Sequence, residues 1–142
     1  MFKKKREKIV LVGGCFDILH PGHLIFLKKA KKTGDKLVVL LESDENIKKT
    51  KGINRPMHSQ VERAKALRAL RFVDSVVKLP FMDSDEAYDQ IVLKIKPDII
   101  ALTKGYANAK HHKRSAKLIG AKLKYVTNII GNYSTTNILT SK

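Results

Sequence analysis

Two histidines, His20 and His23, lie three residues apart in the segment GGCFDILHPGH, residues 13–23. Pro21 suits the first position of a helix, because its missing N–H has no partner to lose there. His20 is then the N-cap and His23 the third helical residue, so the two side chains are expected to face each other across the open helix end. Gly22 leaves the free N–H groups open to an anion, which the helix dipole also favours. The segment therefore predicts a phosphate-binding site.

Transfer of a phosphoryl or nucleotidyl group is the chemistry that suits such a site. The protein then positions the reactants and stabilises charge on the phosphate oxygens. An isolated H-x-G-H sequence is more often structural, but this one follows an apolar run ending in two glycines and opens a helix, which favours function. Cys15 is predicted to be a small packed residue near the site, because no base is placed to activate it as a nucleophile.

Lysines and hydroxyl residues further along the chain are candidate phosphate contacts. Lys48, Lys49 and Lys51 are predicted to lie in a loop after the second strand, where they are either solvated or able to close on phosphates. The hydroxyl residues 134–136 begin a predicted short helix, which they can cap. The same hydroxyls, together with free N–H groups, can also hold a triphosphate.

Asp17 and Arg63 each have a structural interpretation as well as a functional one. Asp17 follows the first strand, where an aspartate commonly forms a turn. Arg63 is predicted to lie on the polar side of a helix over 59–71, where a surface arginine can pair with a nearby glutamate. Residues 71–74 (RFVD) are predicted to form the end of that helix and a turn.

The elements that must position these residues alternate along the chain. Strands are predicted at 8–14, 36–41, 74–79, 98–102 and 122–127, and helices at 21–32, 59–71, 85–95, 110–119 and 134–139. The strands are continuous apolar runs, which is typical of strands buried on both faces. This pattern predicts one α/β domain over residues 1–142, with a doubly wound parallel sheet and helices on both faces. Ligands of such folds bind beyond the carboxyl ends of the strands.

Charge is the unusual feature of the composition, because 29 Lys and Arg residues against 13 Asp and Glu residues give a net charge of +16. Such a charge is compatible with nucleic-acid binding, with a solubilising surface or with attraction of a polyphosphate into a basic cleft. The lysines are scattered and form no aromatic-rich basic stripe of the kind that stacks bases. Nucleic acid is therefore not expected as the main partner.

Several other classes are also not expected. No apolar run reaches the roughly 18 residues of a membrane span, and the basic start of the chain lacks the apolar segment of a secretory signal. Cys15 is the only cysteine, so a cytoplasmic, reducing setting is expected. His111 and His112 are adjacent on a predicted helix and point in different directions, so no side-chain metal cluster is predicted.

Three segments together resemble the cytidylyltransferase-like (H-x-G-H) nucleotidyltransferase superfamily. They are residues 13–23, residues 54–77 (NRPMHSQVERAKALRALRFVDSVV) and residues 133–138 (YSTTNI). Within the superfamily, the chain resembles the adenylyltransferase domain of ADP-heptose synthase, glycerol-3-phosphate cytidylyltransferase and archaeal FAD synthetases. The resemblance implies a Rossmann-like sheet of order 3-2-1-4-5, a homodimer, and transfer from ATP or CTP to a phosphorylated small molecule with release of pyrophosphate. Mg²⁺ is expected to enter with the triphosphate.

The resemblance also implies roles for individual residues. The implied catalytic residues are His20, His23, Lys51 and Arg63. The implied nucleotide and phosphate contacts are Gly14, Cys15, Phe16, Asp17, Gly22, Lys48, Ser134, Thr135 and Thr136. A loop that selects the nucleotide and the acceptor is implied at Lys104, Gly105 and Tyr106. In this loop the chain departs from the heptose enzymes, because residues 102–108 (LTKGYAN) lack the aspartate that follows K-G in them.

Three acceptors fit the resemblance. A sugar phosphate of the heptose type with ATP comes first, because K-G…R-P at 51–56, K-G at 104–105 and S-T-T-N at 134–137 resemble the heptose enzymes. Glycerol 3-phosphate with CTP comes second and FMN with ATP third. A protein of a different class stays open as well: a non-catalytic nucleic-acid-binding protein that uses the same fold and carries the +16 charge.

Overall fold

Five parallel strands form a single sheet in the computed structural model, which describes residues 6–105 and 109–128. The strands are β1 (Ile9–Gly14), β2 (Lys36–Leu41), β3 (Ser75–Lys78), β4 (Ile99–Lys104) and β5 (Lys122–Asn128). Their order across the sheet is β3-β2-β1-β4-β5, and every neighbouring pair is parallel. The predicted Rossmann-like sheet and its strand order are confirmed.

The described residues form five helices. They are α1 (Pro21–Lys31), α2 (Asp44–Lys51), α3 (Gln60–Arg68), α4 (Asp85–Ile95) and α5 (Ala109–Ile119). Because side chains alternate along a strand, β1 contributes Val10 and Val12 to one core and Leu11 to the other. The first core includes residues of α1 and α3, and the second includes residues of α4 and α5. Apolar strands buried on both faces therefore produce the predicted doubly wound architecture.

The chain reverses its winding direction at β1. The chain runs outward from β1 through β2 to β3, then crosses back through α4 to β4, which pairs with the other side of β1. A crevice opens at such a switch point beyond the carboxyl ends of the strands. The loop after β1, which carries the H-x-G-H sequence, lies at this crevice.

The prediction of a loop around Lys48 and Lys51 is wrong, because these residues belong to helix α2. The Ser43 hydroxyl caps this helix by accepting a hydrogen bond of 3.1 Å from the Asn46 amide. Acidic residues occupy its first turn and lysines its last turn, which suits the helix dipole. Gly52 follows with a φ of 115°, a backbone conformation that residues other than glycine rarely adopt. These capping signals were present in the sequence.

Two apolar side chains of the helices lie partly outside the core. Leu24 of α1 is 38% exposed and Val61 of α3 is 53% exposed. The buried residues of α3 are Arg63, Ala64 and Leu67. The helix is thus rotated relative to the prediction, and the rotation places an arginine inside.

Asp74 of the RFVD segment connects three elements at the amino end of the sheet. Its Oδ2 accepts hydrogen bonds from the Leu37 amide at 2.8 Å and from Lys31 Nζ at 2.5 Å. Burial opposes the charge, but these bonds outweigh it and lower the pKa of Asp74. In this structure Asp74 is therefore a packing residue at the end opposite to the crevice. The predicted helix at 134–139 lies outside the described residues. Within the described ranges, no helix has the length and apolar character needed to cross a membrane.

Candidate functional site

The two histidines of H-x-G-H stack at the start of α1. His20 is the N-cap, with φ −137° and ψ 170°, and its Nδ1 accepts a hydrogen bond of 3.3 Å from the His23 amide. Pro21 opens the helix as predicted. The two rings lie 3.7 Å apart between centroids and are inclined by 21°. The predicted facing arrangement is confirmed, and it places two imidazoles at the start of the helix.

Both histidines lose basicity through their surroundings. Burial lowers the pKa of His20. Burial lowers the pKa of His23 to about 4, and the charges of His20 and Lys51 act in the same direction, while a hydrogen bond with the Ile18 backbone opposes them. At neutral pH the two rings are therefore uncharged and each carries one N–H, and the N–H of His23 is engaged by the Ile18 backbone. An anion bound beside them would favour their protonated forms.

Gly14 and Phe16 form the support behind the histidines. Phe16 is buried, has a φ of 46°, and its ring centroid lies 5.1 Å from that of His23. A Cβ at Gly14 would come within 2.9 Å of Phe16 Cε2, closer than real contacts allow. Gly14 therefore permits the close approach of Phe16, which in turn packs on His23.

Asp17 fastens the segment before α3 to the loop after β1. Its buried carboxylate accepts hydrogen bonds from Arg55 Nε at 3.0 Å, from the Met57 amide at 2.8 Å and from the His58 amide at 3.0 Å. Burial alone would raise the pKa of Asp17, but these donors together lower it. The carboxylate is ionised at neutral pH and is engaged by the chain's own donors, which matches a structural role.

Arg63 is buried, and the prediction that it lies on the polar side of its helix is wrong. Its side chain has no exposed surface. Nη1 donates to the carbonyls of Cys15 at 2.8 Å and Glu42 at 3.0 Å, and Nε donates to the His58 carbonyl at 3.0 Å. Nη2 donates to Asp44 Oδ1 at 2.6 Å. One guanidinium thereby connects the loop after β1, the end of β2, the start of α2 and the segment before α3.

Lys51 ends α2 close to the histidines. Its charge acts on both His23 and Cys15, although burial is the larger influence on each of them. Lys48 lies one turn earlier on the same helix and is exposed. Residues three apart share a helix face, so Lys48 lies next to Lys51 along α2.

Cys15 fits the prediction of a packed residue beside the site. It is half-buried, and burial raises the pKa of its thiol. A thiol with a raised pKa stays protonated at neutral pH and is a poor nucleophile.

The predicted selecting loop begins at the carboxyl end of β4, next to β1 in the sheet. Lys104 ends the strand, and Gly105 follows with a φ of 84°. Both are exposed at the same edge of the sheet as the histidines. Tyr106 and the hydroxyl residues 134–136 lie outside the described residues. Within 6–105 and 109–128 there is no group of three His, Cys, Asp or Glu side chains placed to hold a metal ion.

A comparison with protein families matches residues 11–140 to the model described as cytidylyltransferase-like. That match covers most of the chain and includes the histidine pair. The chain belongs to the cytidylyltransferase-like family.

Proteins of two different names are among the relatives of this chain. The bifunctional protein HldE of Campylobacter fetus is 42% identical over 137 residues, which cover 94% of this chain and 27% of HldE. FAD synthase of Pyrococcus abyssi is 48% identical over 93 residues, which cover 66% of this chain and 60% of that enzyme. The chain thus spans about a quarter of the one relative and less than two thirds of the other.

Two solved structures resemble this chain. The lipopolysaccharide core biosynthesis protein from Thermoplasma volcanium has a TM-score of 0.70 and 30% identity, and the match covers 86% of this chain and 98% of that one. Pantoate-beta-alanine ligase from Francisella tularensis has a TM-score of 0.61 at 18% identity, covering 92% of this chain and 62% of the ligase. The second likeness concerns the fold alone.

Sequence reasoning did not identify the contacts that hold the candidate site together. Glu42 and Asp44 were not singled out, although both accept hydrogen bonds from Arg63. Arg55 was noted only as part of K-G…R-P, yet it pairs with Asp17. One signal was available. Acidic residues mark a helix start directly after β2, and this would have placed Asp44 at the carboxyl edge of the sheet, near the site.

Replacing Arg63 should destabilise the protein far more than replacing an exposed arginine of the same helix. Arg63→Gln would leave Asp44 and three carbonyls without their donor, so we expect the free energy of unfolding to fall by about 3 kcal/mol in urea denaturation. Arg68→Gln is the matched control and should cost less than about 1 kcal/mol. Equal losses in the two variants would contradict the role given to Arg63.

The low pKa of His23 predicts a loss of stability in mild acid. The unfolded chain binds a proton at His23 near the ordinary value of 6.5, whereas the folded chain does so only at about pH 4. The free energy of unfolding should therefore fall as the pH drops through this window, by about 2–3 kcal/mol from His23.

Urea denaturation at several pH values measures this effect. His23→Gln should flatten the pH dependence between 6.5 and 4. His58→Gln, at a side chain that is 53% exposed, is the matched histidine substitution with which the slope is compared. An unaltered slope in His23→Gln would show that His23 is not the group responsible.

Proposed function

We propose that this chain transfers a nucleotidyl group from ATP or CTP to a phosphorylated small molecule and releases pyrophosphate. The observation that carries the proposal is the stacked pair His20 and His23 at the open start of α1, at the carboxyl end of β1. The start of α1, the two imidazoles and the nearby Lys51 charge together suit the oxygens of a triphosphate. Membership of the cytidylyltransferase-like family supports the same reaction class.

The reaction requires little covalent chemistry from the protein. A phosphate monoester has a second pKa of about 6, so the acceptor already carries an anionic oxygen and needs no strong general base. That oxygen attacks the α-phosphorus in line, a new P–O bond forms, and the bond to the leaving pyrophosphate breaks. His20, His23 and Lys51 would stabilise the negative charge that spreads over the phosphate oxygens.

Mg²⁺ fits this arrangement as an ion carried by the triphosphate. Magnesium commonly binds substrate phosphates with only one or two protein carboxylates. The Asp17 carboxylate is already taken by Arg55 and two backbone amides, which agrees with a metal held mainly by the nucleotide. When bound, the ion supplies positive charge that neutralises the phosphates.

The remaining predicted residues complete the proposed site. Lys48 would contact phosphates beside Lys51, and Gly22 would let the nucleotide reach the helix N–H groups. The hydroxyl residues 134–136 would bind the triphosphate from a second side. Lys104, Gly105 and Tyr106 would contribute to the choice of nucleotide and acceptor. A homodimer is proposed from the sequence resemblance.

A sugar phosphate of the heptose type, with ATP, is the proposed substrate pair. Its support is the K-G…R-P, K-G and S-T-T-N resemblance, together with the relative HldE, which aligns along 94% of this chain. Glycerol 3-phosphate with CTP and FMN with ATP are the alternatives, and the relative FAD synthase favours the second of these.

Pyrophosphate release tests the function directly. ATP and CTP are each combined with heptose phosphate, glycerol 3-phosphate and FMN, in wild type and in His20→Ala and His23→Ala. We expect one pair to react and each variant to lose about 10²- to 10³-fold in kcat, because a charge-stabilising donor is removed. His58→Ala, at an exposed histidine, is the control and should retain activity.

Two results would contradict the proposal. Unchanged turnover in both site variants would remove the histidines from catalysis. No reaction with any pair, together with tight nucleic-acid binding that weakens steeply with salt, would instead favour the non-catalytic alternative suggested by the +16 charge.

A further inference from the structure

Helices α1 and α3 pack on the same face of the sheet, because both contribute side chains to the first core. Their outer surface carries five exposed cations, here called the basic face: Lys28, Lys29, Lys32, Lys65 and Arg68. Each helix is followed by a short connection to the amino end of the next strand, so both helices end at the amino edge of the sheet. The cations at these helix ends therefore lie away from the crevice and the histidines.

The charge of the basic face is not neutralised by neighbouring acids. Glu62 is the only acidic residue of the two helices, and its carboxylate accepts hydrogen bonds from the amide and the hydroxyl of Ser59. Within the described part of the chain, no cation of the basic face forms an ion pair. Arg68 donates instead to the Val76 carbonyl at 3.3 Å.

The opposite face of the sheet has a different arrangement of charge. Helix α4 begins with acidic residues, and Arg114 of α5 pairs with Asp85 at 3.5 Å and with Asp89 at 3.0 Å. The last turn of α4 contains one basic residue, Lys94, so a helix of this fold can end without a cluster of cations. The uncompensated charge is therefore a property of one face and not a uniform coating of the molecule.

Aliphatic side chains are exposed on the same two helices. Leu24 and Ile25 are 38% and 37% exposed, and Val61 is 53% exposed. Ile25 lies three, four and seven residues before the lysines of the basic face on α1, a spacing that places them on one side of the helix. Cations beside exposed aliphatic groups suit an anionic lipid surface, because the cations meet the headgroups and the aliphatic groups reach the boundary of the acyl chains.

A nucleic acid suits this surface less well. Proteins that bind single strands stack the bases on aromatic side chains. Phe26 is the only phenylalanine, tyrosine or tryptophan of the two helices, and it packs against the first core. The exposed Leu24 and Ile25 offer no hydrogen bond to a phosphate or to the edge of a base.

We infer that the basic face binds the surface of a membrane that contains anionic lipids. Its cations would lie at the lipid phosphates, and Ile25 would lie at the boundary of the acyl chains. Such binding is peripheral and reversible, and it weakens with salt and with a falling fraction of anionic lipid. It does not depend on the proposed reaction, and the crevice at the opposite edge of the sheet stays open while the face is docked.

Vesicle flotation of the full chain tests this binding. Vesicles made of equal parts of phosphatidylglycerol and phosphatidylcholine are compared with vesicles of phosphatidylcholine alone at physiological salt. Only the mixed vesicles should bind the protein. Each cation near an anionic surface strengthens binding by about fivefold, so the triple variant Lys28→Gln, Lys29→Gln and Lys32→Gln should bind about 100-fold more weakly.

A triple variant of the opposite face is the matched control, because it changes the net charge by the same amount. Lys94→Gln, Lys113→Gln and Lys117→Gln alter exposed lysines of α4 and α5. This variant should bind within about threefold of wild type, because lysines across the sheet are screened from the lipid by salt. Circular dichroism checks that both triple variants are folded.

Glu62→Gln tests the face in the opposite direction. Glutamine can replace glutamate in a capping box, so the start of α3 is kept while the one negative charge of the two helices is removed. Binding to the mixed vesicles should strengthen by about fivefold. Glu86→Gln, at an exposed acidic residue of α4, is its control and should leave binding unchanged.

Three results would overturn the inference. The first is equal binding to the two kinds of vesicle, or binding to neither. The second is an equal loss in the two triple variants, which would assign the effect to net charge alone. The third is tight binding of nucleic acid that is lost in the α1 triple variant while the mixed vesicles bind no protein, which would assign the basic face to nucleic acid.

Discussion

The buried guanidinium of Arg63 is the interaction on which the site geometry depends. A planar group with five donors reaches the carbonyls of Cys15, Glu42 and His58 and the carboxylate of Asp44. These four partners lie in segments that the sheet alone would leave loosely connected. Because Asp17 fastens residues 55–58 to the same loop, the histidine loop, α2 and the start of α3 form one rigid frame.

This frame lets a strongly basic chain hold an uncharged histidine pair. The stacked rings of His20 and His23 are neutral at pH 7 because burial disfavours their charged forms. Positive character at the site therefore comes from the start of α1 and from Lys51.

The strands, their order and the capping geometry of α1 could be predicted because they follow from local signals and a family resemblance. Apolar runs mark buried strands, and α4 matches its predicted bounds of 85–95. The burial of Arg63 could not be predicted, because its partners Cys15 and Asp44 lie 48 and 19 residues away along the chain. Helix α2 was missed although Ser43 and its acidic first turn are local signals. Its lysines were expected to lie in a loop because they are charged.

An NMR titration of the histidine rings, with and without an ATP analogue and Mg²⁺, tests the central claim most directly. The claim is that triphosphate oxygens bind at His20 and His23. Without nucleotide, the pKa of His23 should lie at about 4, and bound phosphates should raise it by about one pH unit or more. An ATP analogue that binds but leaves the pKa of both site histidines unchanged would contradict the account.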